Sequence, residues 1–380
     1  MLRVHAAKTS RTLLRPGTAA RLIINHVRGS AEHTLLDPDA RDHITEPYIK
    51  LQQRCVASGY RFEGARDQLL DECRWVVFWD TWRVGSGSLP TRLVEAAKAR
   101  ACGESSRDLF QEVLRAGMEH KLVLFMYEPP CVFPRNYDRG LHAHFPVVFT
   151  WDPTLADGKR YHRIYIPNPT TFPVVTPAPF PERKLFVDIS GYKFSRHPRE
   201  LYTERRRLVR FFESNYPDAF DLYGEGWNPR LRAYLWRRIR DPKVLREFYP
   251  SYRGTVRHKW EIYPHYRFGV CYENMIDQPG YVSIKIFDCM RARCVPIYLG
   301  APDITDYVDS EAFVDRRQFT SDAEMAKYLA GLGEREYQRY LDAGERYLCS
   351  DRFKPFLAEH FVDTVTKVLR LGDSRGDGGS

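Results

Sequence analysis

Two stretches of this chain place reactive side chains at the ends of apolar runs, where chemistry could use them. Glu128 follows the run Leu122–Met126 and is succeeded by Pro129 and Pro130. A general base needs a rigid mount, partial desolvation and reach to a hydroxyl. A carboxylate at the end of a buried strand, stiffened by two prolines, can meet all three conditions. Glu273 and Asn274 follow the apolar run Tyr266–Tyr272 in the same way, ahead of a Pro279-Gly280 turn and Tyr281. Lys285 then falls in the first turn of a helix predicted over residues 281–293. A cation is poorly placed there against the helix dipole, yet well placed to meet an anion held at that helix end. Spacing alone leaves a solvated lysine equally open.

The elements that must hold these groups read as alternating strands and helices. Residues 266–272 form a buried strand, and 281–293 an amphipathic helix through Ile284, Ile286, Phe287, Cys289 and Met290. A second buried strand at 294–299 is closed by Gly300. This is one unit of a parallel sheet, in which ligands bind outside the carboxyl ends of the strands. Upstream, strands are expected over 74–79, 121–126, 147–150 and 163–166, with helices over 91–101 and 109–117. That alternation predicts an α/β chain with a doubly wound parallel sheet. Six prolines from Pro167 to Pro181 then fix φ and remove donors, so this stretch is expected to be an extended, semi-rigid linker. Beyond it a second series begins, with a strand at 184–189, a helix at about 198–215 and a strand at 220–224.

Ser190 opens a polar loop after the strand at 184–189, leading through His197-Pro198 to the adjacent Arg205, Arg206 and Arg207. A strand-end loop running into a helix start suits a phosphate. A solvated arginine face accounts for the same run, and for at least one of the three it must. Gly224 and Gly226 permit positive φ and close backbone approach, as a plain turn or as a wall of a nucleotide pocket. Asp37-Pro38-Asp39 is read as a turn, and no Asp-x-Asp metal motif stands at a strand end in the second half.

At 380 residues, 43% hydrophobic and 14% aromatic, the chain is long enough for two packed domains and too apolar to be disordered. A net charge of +9 raises the question of anionic partners. The arginines are scattered and no nucleic-acid module is legible, so a nucleic-acid partner is not expected. A nucleotide-sugar diphosphate, or peripheral contact with an anionic membrane surface, accounts for the excess. No apolar run approaches the roughly 18 residues a membrane helix needs. The eight cysteines form no CxxC pair and read as buried hydrophobes of a reducing compartment, so a cytoplasmic location is expected. Residues 1–31 hold six basic residues and no acidic one, a composition shared by transit peptides and by a basic lead-in to a strand at 21–27. The lead-in is the reading taken.

The order of residues from Tyr266 to Phe319 resembles the donor-binding core of the family-ten glycosyltransferases, the α-1,3/1,4-fucosyltransferases. The matching groups are Tyr266-Arg267-Phe268, Tyr272-Glu273-Asn274, Gly280-Tyr281-Val282-Ser283-Ile284-Lys285 and Val295-Pro296-Ile297-Tyr298-Leu299-Gly300. The likeness extends to Ser190, His197-Pro198 and Arg205, to Asp221-Leu222-Tyr223-Gly224, and to Tyr252-Arg253-Gly254 with Lys259. The resemblance implies a bacterial-type member and a GT-B fold, two Rossmann-like domains facing a cleft and joined by the Pro-rich linker. Residues 1–20 would be a disordered lead-in, 21–166 the acceptor-binding domain, 167–183 the linker and 184–349 the donor-binding domain. Residues 350–371 would form a helix crossing back, and 372–380 a disordered tail.

The implied reaction is inverting transfer of L-fucose from GDP-fucose to a glycan hydroxyl, expected to be the 3-OH of a GlcNAc- or Glc-type sugar, with no metal or other cofactor. Glu128 would be the base, and Arg205 and Lys285 the diphosphate contacts. Asn274, Tyr281, Ser190, Glu273, Gly224, Tyr252 and Lys259 would complete the donor site. Acceptor loops are expected at 82–90 and 136–144, and Trp79, Trp82, Tyr137 and Trp151 are candidates to stack on sugars or to fill the core. One departure stands out: the family's Thr-Glu-Lys is here Ser283-Ile284-Lys285. It leaves open a different GDP-sugar donor, or a catalytically impaired carbohydrate- or nucleotide-binding relative.

Overall fold

Apolar runs of the first half become six parallel strands: β1 (Leu22–His26), β2 (Arg61–Gly64), β3 (Cys73–Trp79), β4 (Leu122–Met126), β5 (Val147–Thr150) and β6 (Tyr161–Arg163). They lie in the order β2-β1-β3-β4-β5-β6. A second parallel sheet holds β7 (Lys184–Ile189), β8 (Phe220–Tyr223), β9 (Tyr252–Gly254), β10 (Tyr266–Tyr272), β11 (Val295–Leu299) and β12 (Val314–Asp315), in the order β12-β11-β10-β7-β8-β9. This computed structural model describes residues 22–26, 35–64, 70–81, 108–228 and 248–371. The expectations for residues 1–20, the helix at 91–101, Trp82 and the loop at 82–90, and the tail after Leu371 lie outside those residues.

Parallel strands need crossovers, and the helices of those crossovers cover both faces of a sheet. That is why β4 and β11 are buried at every position. The longer helices are α1 (Glu46–Ala57), α2 (Leu109–Arg115), α3 (Tyr202–Asn215), α4 (Ile284–Arg291), α5 (Asp322–Gly331), α6 (Glu334–Leu348) and α7 (Ala358–Val368). Along β7 and β10 successive side chains alternate between the two faces. Phe186 and Phe268 pack with Leu208, Val209 and Phe212 of α3, whereas Val187 and Cys271 pack with Ile286, Phe287 and Cys289 of α4.

In the second sheet the chain runs outward from β7 to β9, then returns through β10 to β12 on the other side. The reversal is a switch point between β7 and β10, where connections leave in opposite directions and a crevice opens at the carboxyl ends. The last helix belongs to the other domain. Phe361, Val362 and Val365 of α7 join Val77, Phe125 and Phe149 in the core of the first sheet. Lys50 and Arg54 of α1 pair with Glu359 and Asp363 of α7.

Two helices start later than their patterns predict. Glu200 accepts the backbone N–H groups of Tyr202 (2.6 Å) and Thr203 (3.0 Å), so α3 begins at Tyr202 instead of near Pro198. The Ser283 hydroxyl caps α4, which begins at Ile284, not at Tyr281. Six of the described cysteines are buried thiols, but Cys349 is exposed, because it sits past the apolar stripe at the end of α6. Among the described residues, no helix is long and apolar enough to cross a membrane.

Candidate active site

The crevice at the switch point holds a cavity of about 420 Å³. Ile189 lines it at the end of β7, Ser190 and Gly191 just past that end, Gly224 and Glu225 beyond β8, Thr255 and Val256 beyond β9, and Asn274 beyond β10. Five cations share this lining, Arg41, Lys193, Arg205, Lys259 and Lys285, against the one carboxylate of Glu225. A wall so unbalanced in charge favours an anion.

Three of the cations, Arg205, Lys259 and Lys285, are mounted through buried hydrogen bonds. Arg205, in the first turn of α3, donates from Nη2 to the carbonyls of Tyr272 (2.7 Å) and Glu273 (3.1 Å). Its neighbours point away: Arg206 donates to the Lys193 carbonyl, and Arg207 pairs with Glu204. Glu273 is fully buried and accepts three bonds, from Ser283 N (2.8 Å), Ser283 Oγ (2.6 Å) and Lys285 Nζ (3.1 Å). Lys285 Nζ also donates to Asn274 Oδ1 (3.2 Å), and Asn274 Nδ2 to Tyr281 Oη (3.2 Å). Burial pushes the Lys285 ammonium below its ordinary range, with Glu273 opposing the shift. Lys259 is held by Asp288 (2.6 Å) and lies 3.6 Å from Asp42. Burial works against its charge, but the two carboxylates keep it above the ordinary lysine range.

The back wall depends on one glycine. Gly224 has φ +128°, and a Cβ there would lie 1.9 Å from the Ser190 carbonyl oxygen, a backbone atom that cannot swing aside. Tyr252 donates its hydroxyl to the Gly224 carbonyl at 2.9 Å and so braces the same turn. Gly224→Ala is expected to lower stability by more than about 2 kcal/mol, measured as a fall in the urea midpoint.

Across the domain boundary, Glu128 stands two residues past the end of β4. Asp80, at the end of β3 with φ 59°, accepts the N–H groups of Tyr127 (2.8 Å) and Glu128 (3.1 Å) on Oδ1. Asn136 Nδ2 donates to Asp80 Oδ1 (2.6 Å) and to the Glu128 carbonyl (3.1 Å). The main chain of Glu128 is therefore clamped on both sides, while its half-buried carboxylate makes no hydrogen bond or ion pair among the described residues. Its charge acts on Tyr281, Cys131 and Tyr202. Cys131 in turn donates to the Asn274 carbonyl at 3.3 Å, so Glu128 stands one layer from the cavity, on the side of the first domain. Burial, reinforced by the Glu128 charge, pushes the Asp80 carboxyl up to about 6.

Residues 247–364 match the family model described as glycosyltransferase family 10 (fucosyltransferase), C-terminal. This stretch is similar to the C-terminal domain of glycosyltransferase family 10. The α-(1,4)-fucosyltransferase of Arabidopsis thaliana is 36% identical over 70 residues, which cover 18% of this chain and 17% of that protein. The α-(1,3)-fucosyltransferase FucT of Helicobacter pylori is 32% identical over 88 residues, covering 23% and 18%. The chain thus spans about a fifth of the length of the curated relatives it matches. Over the whole length, a solved α1,3-fucosyltransferase with GDP-fucose superimposes with a TM-score of 0.51 at 13% identity, covering 97% of this chain and 95% of that one. An α-glucosyltransferase with UDP and DNA gives 0.51 at 10% identity, covering 93% and 100%. The fold is GT-B.

Arg205, Lys285, Asn274, Ser190, Gly224 and Lys259 come together around one cavity, and of these Lys259, Asn274 and Lys285 lie in the matched stretch. Glu273, Tyr281 and Tyr252 stand one contact behind it. Trp151, a candidate platform for sugars, is only 1% exposed and packs on Tyr281 (4.8 Å), its Nε1 donating to the Tyr127 carbonyl. Trp79 is buried on Phe125. Both are spent on the core, because neighbouring strands and the domain boundary close over them.

Sequence reasoning missed Lys193, Arg41 and Asp188. Lys193 lies in the loop already singled out after β7, so a signal existed. So did one for Asp188, a charged residue inside an otherwise apolar strand. Asp188 is 1% exposed and, among the described residues, neither carboxylate oxygen has a hydrogen-bond partner. Burial pushes its carboxyl up to about 6, and the charge of Arg205 limits the rise. In the unfolded chain the group titrates near 4, so the folded state holds the proton more tightly. Stability is present in full below about pH 4 and declines as pH rises to about 6. Asp80 adds a slope of the same sign. Asp188→Asn is expected to flatten the decline in part, read from urea unfolding across that pH range.

Proposed function

We propose that this chain transfers L-fucose from GDP-fucose to a glycan hydroxyl with inversion at the anomeric carbon. The observation that carries the reading is a cation-lined cavity at the switch point of the second sheet, with Glu128, a carboxylate unpaired among the described residues, one layer away past a strand end of the first. The names of the matching relatives, α-fucosyltransferases of a plant, a bacterium and man, support the sugar.

In this reading the donor diphosphate lies among Arg205, Lys285 and Lys193. As the bond from the fucose anomeric carbon to the phosphate oxygen lengthens, negative charge grows on that oxygen. Arg205 and Lys285, already fixed by buried hydrogen bonds, stabilise it without reorganising. Glu128 takes the acceptor proton as the acceptor oxygen attacks the opposite face of the sugar. One bond forms as the other breaks, GDP leaves, and no enzyme-bound sugar arises. The acceptor proposed is the 3-OH of a GlcNAc- or Glc-type sugar. Protein cations supply the neutralisation that a metal would otherwise bring, so turnover is expected to be unchanged by EDTA.

Calorimetric titration with GDP, GDP-fucose and GDP-mannose tests the reading. GDP should bind, Lys285→Ala should weaken it by about tenfold or more, and GDP-fucose should bind more tightly than GDP-mannose. Absence of binding by all three would overturn the proposal.

A second reading rests on Ile284, which occupies the first position of α4 where the resembled family carries glutamate. Ile284→Glu separates the two. A rise in turnover with GDP-fucose marks a fucosyltransferase slowed by this residue, whereas no rise favours another GDP-sugar.

A further inference from the structure

We infer that the donor cavity is completed from the first domain, by the turn at 41–44, and that Arg41 supplies a cation to the nucleotide diphosphate bound there. The inference rests on the reading of this cavity as a nucleotide-sugar site. Arg41 and Ile44 line the cavity, and the other lining residues belong to the second domain.

The backbone of this turn is unusual. Asp42 and His43 are consecutive non-glycine residues with φ of 56° and 53°. A side chain disfavours that region, and two in succession persist only where surrounding contacts impose them. Those contacts come from the second domain. Asp42 N donates to His258 Nδ1 (3.2 Å), and Lys259 N donates to Asp42 Oδ1 (2.8 Å). The His43 ring stacks on Trp260 at 5.2 Å, and the Asp39 carbonyl accepts from Arg257 Nη2 at 3.2 Å. Asp42 itself is 2% exposed.

The turn is thus pinned in a disfavoured conformation, and its position sets Arg41 at the cavity rim. The Arg41 side chain remains half-exposed, and its one ion pair among the described residues is from Nε to Asp42 Oδ2 at 3.5 Å. That carboxylate also serves Lys259. The Nη edge of the guanidinium makes no hydrogen bond among the described residues. Arg41 and Lys259 repel each other across the same cavity. An anion between them relieves that repulsion, and a planar guanidinium suits phosphate oxygens. The consequence is that a complete donor site exists only when the two domains are docked.

GDP titration of the whole chain over a salt series tests this, using wild type, Arg41→Ala, Arg41→Lys and Lys285→Ala. Arg41→Ala should weaken GDP about five- to twentyfold and flatten the salt dependence of the affinity, and Arg41→Lys should recover part of both. The melting temperature should not move, since the side chain is half-exposed. If GDP binds wild type and weakens in Lys285→Ala, but Arg41→Ala matches wild type in affinity and salt slope, the inference falls and the donor site stands. If wild type does not bind GDP, the reading of the cavity falls and takes the inference with it.

Discussion

Glu128→Gln is expected to cut fucosyl transfer by about 10²- to 10⁴-fold while leaving GDP affinity unchanged. The substitution keeps the shape of the side chain and removes only its charge. The backbone at this position does not depend on that side chain, because Asp80 holds its N–H and Asn136 holds its carbonyl. The carboxylate has no hydrogen bond to lose among the described residues. Its removal also lifts a repulsion from Asp80, whose carboxyl the Glu128 charge helps to push up. The variant should therefore melt no lower than wild type. Turnover is read as GDP release from GDP-fucose with a GlcNAc- or Glc-terminated acceptor, and affinity from calorimetry. A variant that keeps wild-type turnover would remove Glu128 from the reaction.

Glu273→Ala should have the largest effect on the donor side, through stability and binding together. The carboxylate is fully buried and is the shared acceptor for Ser283 N, Ser283 Oγ and Lys285 Nζ. Its loss strands the Lys285 ammonium, already pushed below its ordinary range by burial, and leaves two Ser283 donors unmet. Breaking a buried pair from one side costs about 3–5 kcal/mol. Ser283→Ala, which removes the cap of α4 and one hydroxyl bond to Glu273 but keeps the Lys285 ion pair, should cost about 1–2 kcal/mol. The comparison separates the ion pair from the cap. Urea midpoints give both costs, and GDP titration below the melting range should show Glu273→Ala weakened well beyond Ser283→Ala.

One part of the cavity was legible because it is nearly continuous in sequence. One strand, one turn and the first residues of one helix carry Glu273, Asn274, Tyr281 and Lys285. Apolar periodicity fixes which of these stand past the strand end, and a parallel sheet puts strand ends at the ligand. The start of α4 was less legible, since the Ser283 cap competes with an apolar pattern that continues back to Tyr281.

What depended on distant pairings had no local mark. Arg205 could be separated from Arg206 and Arg207 only by the position of β10, whose carbonyls it meets. The clamp on Glu128 joins Asp80 and Asn136, residues 48 and 8 positions away in the chain. Trp151 reads as an aromatic platform until Tyr281 of the other domain closes over it. Sequence by itself determined the strand-end chemistry and the α/β alternation, because both arise from neighbours a few residues apart. Tertiary structure alone decided the charge of the cavity and the wall that Arg41 adds to it. Those follow from which backbone and which domain come to lie beside each side chain, and burial and electrostatics act through space without regard to chain order.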